Sequence, residues 1–131
     1  MAAESCPCGT GLKFKACCEP FLLGKAEPPT PEALMRSRYA AYALGLTDYV
    51  MDTTSPDGPR FEPDRRLWAL SIEEFSRGTR FDGLAILGSG ADGDAGWVRF
   101  RAVLARGERD ASFEERSRFI RREGRWLYVS G

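Results

Sequence analysis

Cys6, Cys8, Cys17 and Cys18 are the residues best suited to chemistry in this sequence, and the 113 residues after Cys18 contain no further cysteine. Four thiolates can close a tetrahedral shell around Zn2+ with bonds of about 2.3 Å, and a shell with no open position is structural rather than catalytic. Gly9 and Gly11, just after the first pair, permit a tight backbone path and leave amide N–H groups to hydrogen-bond to sulfur. A tetrathiolate zinc centre carries a formal charge of about −2. Lys13, Lys15 and Lys25, all the lysines of the chain, lie within or just after the cluster and can offset that charge. About twenty residues bury too little surface to fold alone, whereas zinc contributes on the order of 10 kcal/mol to such modules. The competing readings are two disulfides, redox-active thiols or an iron-sulfur cluster. Pairs this close bridge poorly within themselves, and the adjacent Cys17-Cys18 does not match ferredoxin spacings, so a metal held by Cys6, Cys8, Cys17 and Cys18 is the expectation.

The rest of the sequence must carry and position that centre. Histidine is absent, which removes the commonest acid-base group near neutral pH. At 131 residues there is room for one ordinary domain and a short appendage, and eight Phe, four Tyr and three Trp supply its core. Nineteen basic against nineteen acidic residues argue against a surface that grips nucleic acid or anionic lipid everywhere. Met1–Ser5 has an acid and no apolar run, and eighteen consecutive apolar residues occur nowhere, so no membrane span is expected and the cytoplasm is the expected compartment.

Residues 1–24 read as a zinc knuckle, 25–30 as a linker whose adjacent Pro28 and Pro29 hold it extended, and 31–131 as the main domain. Thr30 as N-cap, with Pro31 at the first helical position, starts a helix to about Leu46. Met35, Tyr39, Tyr42 and Leu46 form its apolar stripe, with Arg36 and Arg38 snorkelling at the flanks; the alternative is that Arg36-Ser37-Arg38-Tyr39 lines a pocket opening. Short helices are expected over 47–52 and 64–77, the latter with Trp68, Ile72 and Phe75 inward and Leu67 alongside. From position 80 the period becomes two. Strands are expected at about 81–88, 97–104, 112–121 and 125–130, with Gly88–Gly93, Arg106–Glu108 and Glu123-Gly124 as loops at hairpin distances. Helices followed by a meander imply an α+β fold, helices on one face of a curved antiparallel sheet.

The run Cys6-Pro7-Cys8-Gly9-Thr10-Gly11 through Cys17-Cys18 resembles the SEC-C zinc motif at the end of the SecA translocation motor. In SecA that motif is associated with a secretion chaperone and the ribosome, so the resemblance implies a protein or ribosome partner. Pro31–Tyr42, Glu115–Phe119 and Gly124–Val129 resemble the bacterial YchJ family. That resemblance implies a SEC-C motif before a domain similar to nuclear transport factor two, a cone of helices wrapped by a curved sheet. Relatives often carry Trp-His before the proline at position 56, where this chain has Thr54-Ser55. A role resting on that imidazole is therefore missing.

Cone domains of this type hold small molecules between sheet and helices, and Tyr39, Tyr42, Asp82 and Glu115 are the candidate working groups here. Glu115, Ser117 and Phe119 share one strand face, and Glu115 is expected to pair with a neighbouring arginine. Residues 97–131 hold nine Arg against five acids, with Trp97 and Trp126 among them, a pattern shared by RNA-binding surfaces and by solvated sheet faces. Asp92–Gly96 reads as a hairpin tip rather than a calcium loop. Related domains dimerise through the outer sheet face, where Trp97 and Val103 would make a homodimer contact. The expectation is a cytoplasmic binding protein whose knuckle docks a partner, with a small-molecule site or enzyme inside the cone as the competing class.

Overall fold

The structure, a computed structural model, describes residues 5–131. The acidic start of the chain, on which the expectation of no secretory leader rests, lies outside the described residues. A cysteine loop with a 3-10 turn at Phe14–Ala16 leads into a single helical turn, α1 (Glu19–Leu22). Helix α2 (Pro31–Leu44) follows. Thr30 caps it as expected, its Oγ1 accepting from the Ala33 N–H at 3.0 Å. The helix stops two residues before Leu46 because Gly45 turns left-handed at φ +72° and its N–H closes on the Ala41 and Tyr42 carbonyls. Helix α3 is Thr47–Asp52 and α4 is Arg65–Arg77, the latter capped by Asp64, which accepts from the Leu67 N–H at 3.2 Å.

Strands β1 (Arg80–Asp92), β2 (Ala95–Arg106), β4 (Phe113–Arg122) and β5 (Arg125–Ser130) form an antiparallel meander in the order β1-β2-β4-β5, with β3 (Arg109–Asp110) paired to the end of β2. Helices before a meander is the predicted architecture. One boundary moves: β1 continues through Gly88-Ser89-Gly90, expected as loop, and the turn is only Gly93-Asp94. The Trp97 indole lies against the backbone of Gly88 and Gly90, where a Cβ on Gly90 would stand 2.7 Å from the Trp97 Nε1. These glycines therefore serve a close approach inside a strand rather than a loop.

Val98, Phe100, Ala102 and Leu104 of β2 point inward as their alternation predicts, and pack with Leu34, Tyr39, Phe119 and Trp126. Burying a side chain such as Leu34 contributes about 1.5–3 kcal/mol. Ala41, Val50, Met51 and Ile72 make a second cluster that binds α2, α3 and α4 together. The buried face of α2 is wider than its predicted stripe. It includes Leu34, Ser37, Arg38, Ala40 and Ala41, while Leu46 is exposed. Sheet, α3 and the cysteine loop each cover part of this helix, so a single stripe underestimates its burial. Leu67, expected inward on α4, is also exposed. Among the described residues, no helix is long and apolar enough to cross a membrane.

Candidate metal centre and cone cavity

The cysteine loop brings Cys6, Cys8, Cys17 and Cys18 together, with all four sulfurs within 4.8 Å of one another. Cys8 Sγ and Cys17 Sγ lie 3.5 Å apart, and Cys17 Sγ and Cys18 Sγ 3.9 Å. A tetrahedral shell with bonds near 2.3 Å has edges of about 3.8 Å, so this set fits a four-coordinate metal ion. The cysteines are free thiols rather than disulfides. Two hydrogen-bonded arms hold them: the Cys6 N–H donates to the Leu12 carbonyl at 2.9 Å, and the Gly9 N–H donates to the Cys6 carbonyl at 3.2 Å. Gly9, at φ +84°, lies against β1, where a Cβ would stand 3.0 Å from the Leu84 carbonyl oxygen. Only glycine meets both demands.

The amides that reach the sulfurs are not those of the glycines. The Cys8 and Cys18 N–H groups hydrogen-bond to the Cys6 sulfur, and the Thr10 N–H to that of Cys8. Thr10 Oγ1 accepts from the Leu12 N–H at 3.2 Å and lies 3.2 Å from Cys17 Sγ. The Cys18 thiol, hydrogen-bonded to Cys8, is the main influence that lowers the Cys8 thiol to about 4. Cys18 is correspondingly pushed up, first by that bond and then by burial. Burial pushes the Cys6 thiol up to about 11. A divalent cation removes this conflict, since all four sulfurs can then be thiolates.

Cys6, Cys8 and Cys18 are buried against Ala40 of α2, with Phe14 and Leu22 packed around them. Ala40 is small enough to let the loop approach. Lys13, Lys15 and Lys25, expected to offset the cluster's charge, are exposed. Arg36 is a further cation at the loop, its Nη1 donating to the Cys8 carbonyl at 3.0 Å. Burial works against its charge, yet the Glu32 hydrogen bond and the Cys8 sulfur outweigh it and hold the guanidinium above its usual range.

A cavity of about 670 Å³ opens between the sheet and helices α2 and α4. Of the candidate working groups, Tyr39, Tyr42 and Glu115 line it. Asp82 does not, because it pairs with Arg80 at 2.8 Å outside the cavity. Glu115, Ser117 and Phe119 share the inner face of β4, as predicted, opposite Phe100, Val98 and Gly96 of β2. The expected ion pair of Glu115 is absent among the described residues. Its Oε2 accepts from the Ser117 hydroxyl at 2.7 Å, because the arginines of β4 project from the opposite face.

Arg38 was expected to snorkel, with lining a pocket opening as the alternative; it is 4% exposed and lines the cavity, so the alternative holds for it. Its Nη1 donates to the Val50 carbonyl at 2.9 Å and to the Thr53 and Thr54 hydroxyls at 2.8 and 3.1 Å. The Tyr128 ring lies 4.5 Å from its guanidinium carbon. The available signal was its spacing of four from Leu34 and three from Ala41, on the helix face that small residues crowd.

Residues 30–131 match the family described as "YchJ, middle NTF2-like domain", and residues 3–20 match the SEC-C motif. A UPF0225 protein of Deinococcus radiodurans is 43% identical over 96% of this chain and 87% of its own length. Another, from Streptomyces coelicolor, is 42% identical over 100% of this chain and 97% of its own. The solution structure of a SEC-C motif containing protein from Rhodopseudomonas palustris superposes with a TM-score of 0.85 at 39% identity, covering 97% of this chain and 96% of that one. The fold is thus the one the resemblance implied, a cysteine motif ahead of an NTF2-like domain.

Proposed function

The chain belongs to the YchJ family, whose curated members are UPF0225 proteins, and on that premise we propose that it is a cytoplasmic binding protein built on a structural Zn2+. Cys6, Cys8, Cys17 and Cys18 hold the ion, and residues 5–24 become a rigid docking element for a protein or ribosome partner. A closed four-thiolate shell leaves no position for a substrate, which favours scaffolding over catalysis by the metal.

The observation that carries this reading is the division of the knuckle's surface. Its cysteines face Ala40, whereas Leu12 and Leu23 are 54% and 60% exposed beside the exposed Lys13, Lys15 and Lys25. Two bare leucines among three cations suit an acidic partner surface that carries apolar side chains. In a capture experiment with the full zinc-loaded chain, the surface variant Leu12→Ser/Lys13→Glu/Lys15→Glu should keep one zinc per chain by elemental analysis and lose the partner. Equal capture by both proteins would remove the docking reading, and a reduced protein without stoichiometric metal would remove the zinc.

A second reading rests on the cavity: its volume falls in the range of small-molecule sites, and a buried arginine shares a mainly apolar lining.

A further inference from the structure

Buried charges in proteins are ordinarily paired, because removing a guanidinium from water costs several kcal/mol unless an anion or a full set of acceptors replaces the solvent. Arg38 departs from that pattern. All its hydrogen bonds to described residues come from Nη1, and all three acceptors are neutral. Among the described residues it forms no ion pair: the eight pairs they make involve other arginines. Glu115 shares the cavity, its Oε2 accepting from the Ser117 hydroxyl, and makes no ion pair with Arg38 among the described residues.

Arg38 is a lining residue of the cavity and is 4% exposed, and its Nε and Nη2 make no hydrogen bond to the described residues. The rest of that lining is mainly apolar, with Met35, Trp68, Phe75, Phe81, Phe100 and Phe113 around it. Burial lowers the affinity of Arg38 for its proton, with the neighbouring tyrosines opposing, which marks a cation short of counter-charge.

We infer that the cone cavity takes a small organic carboxylate with an apolar or aromatic body, whose carboxylate oxygens bind the Nε–Nη2 edge of Arg38. The inference rests on the second reading above, that the cavity holds a small molecule. A guanidinium edge offers two parallel N–H donors that match the two oxygens of a carboxylate. A phosphate ester, at about two negative charges, needs more donors than this interior supplies. Arg60 and Glu62, the other charged lining residues besides Glu115, are exposed and neutralise each other's sign at the cavity rim. Arg38 is also the residue that joins α2 to the Val50–Thr54 segment, so a bound carboxylate stabilises the helix layer as well as filling the cavity.

The test uses the full zinc-loaded chain and graded probe pairs: phenylacetate, 1-naphthoate and octanoate, each against its primary amide. Binding is read by titration calorimetry and by thermal melting. The expected result is that at least one carboxylate binds and raises the melting temperature, and that its amide binds at least tenfold more weakly. Arg38→Lys, which keeps the charge and loses the parallel donors, should weaken the carboxylate and leave the amide unchanged. Because that variant disturbs a buried site, its fold is checked by circular dichroism, and the wild-type acid-to-amide ratio stands without it. Equal binding of acid and amide overturns the carboxylate assignment and leaves the small-molecule reading intact. No binding by any probe overturns both.

Discussion

Arg36 Nη1 donates to the Cys8 carbonyl oxygen at 3.0 Å, so the cysteine cluster and helix α2 are joined by a charged hydrogen bond. The same side chain binds Glu32 Oε2 at 3.0 Å through Nε, which fixes the guanidinium in the orientation that reaches Cys8. Arg36→Met should lower the stability of the zinc-loaded protein by about 1–2 kcal/mol in urea unfolding, since a hydrogen bond from a charged donor contributes on that scale and the site is only partly buried. It should also speed zinc transfer to a chromophoric chelator. Identical transfer rates would mean that Arg36 does not stabilise the cluster.

The seat of the knuckle is Ala40, fully buried against Cys6, Cys8 and Cys18. Ala40→Leu adds volume where none is free, at a cost of about 1–3 kcal/mol. Because the added atoms meet the cysteines that the proposed function assigns to zinc, zinc affinity should fall along with the melting temperature. Loss of stability with unchanged zinc affinity would show that the loop rebuilds itself away from α2.

On the outer sheet face the Trp97 indole lies against Gly90 on one side and under the Arg116 guanidinium, 4.7 Å away, on the other. Gly90→Val forces the ring outward. Tryptophan emission should shift to the red, and stability should drop by about 1–3 kcal/mol. This packing also bears on the expected homodimer contact, since it covers part of the Trp97 surface while Val103 stays exposed.

Tyr39 sets a limit at high pH. Burial raises its phenol to about 12 from the ordinary 10.0, although the Gly83 N–H bond at 3.0 Å works the other way. Folding therefore favours the neutral phenol. Its contribution is complete below the unfolded value and is lost as pH rises from about 10 through 12. Tyr39→Phe should cost about 1 kcal/mol at neutral pH through the lost hydrogen bond and flatten stability over that alkaline window. Tyr49 and Tyr128, raised mainly by burial, keep part of the alkaline loss in the variant. An unchanged stability curve would remove Tyr39 as its cause.

The cysteine cluster was legible because its members sit close in sequence: a loop of thirteen residues brings Cys6 and Cys18 together. The inner face of β2 was legible for a similar reason. Side chains of a strand alternate by covalent geometry, so Val98, Phe100, Ala102 and Leu104 must share a side. Arg38 was not legible. Its spacing on α2 admits either a snorkelling flank or a buried edge, and the choice belongs to α3 and β5, which lie far along the chain and bring Val50, Thr53, Thr54 and Tyr128 around it. Gly88 and Gly90 misled for the same reason, since only pairing with β2 places Trp97 over them. Contacts within one loop or one strand follow from backbone geometry and short-range chemistry. Contacts between elements depend on which surfaces the folded chain presses together, and that is where the cavity, its buried arginine and the seat of the knuckle were decided.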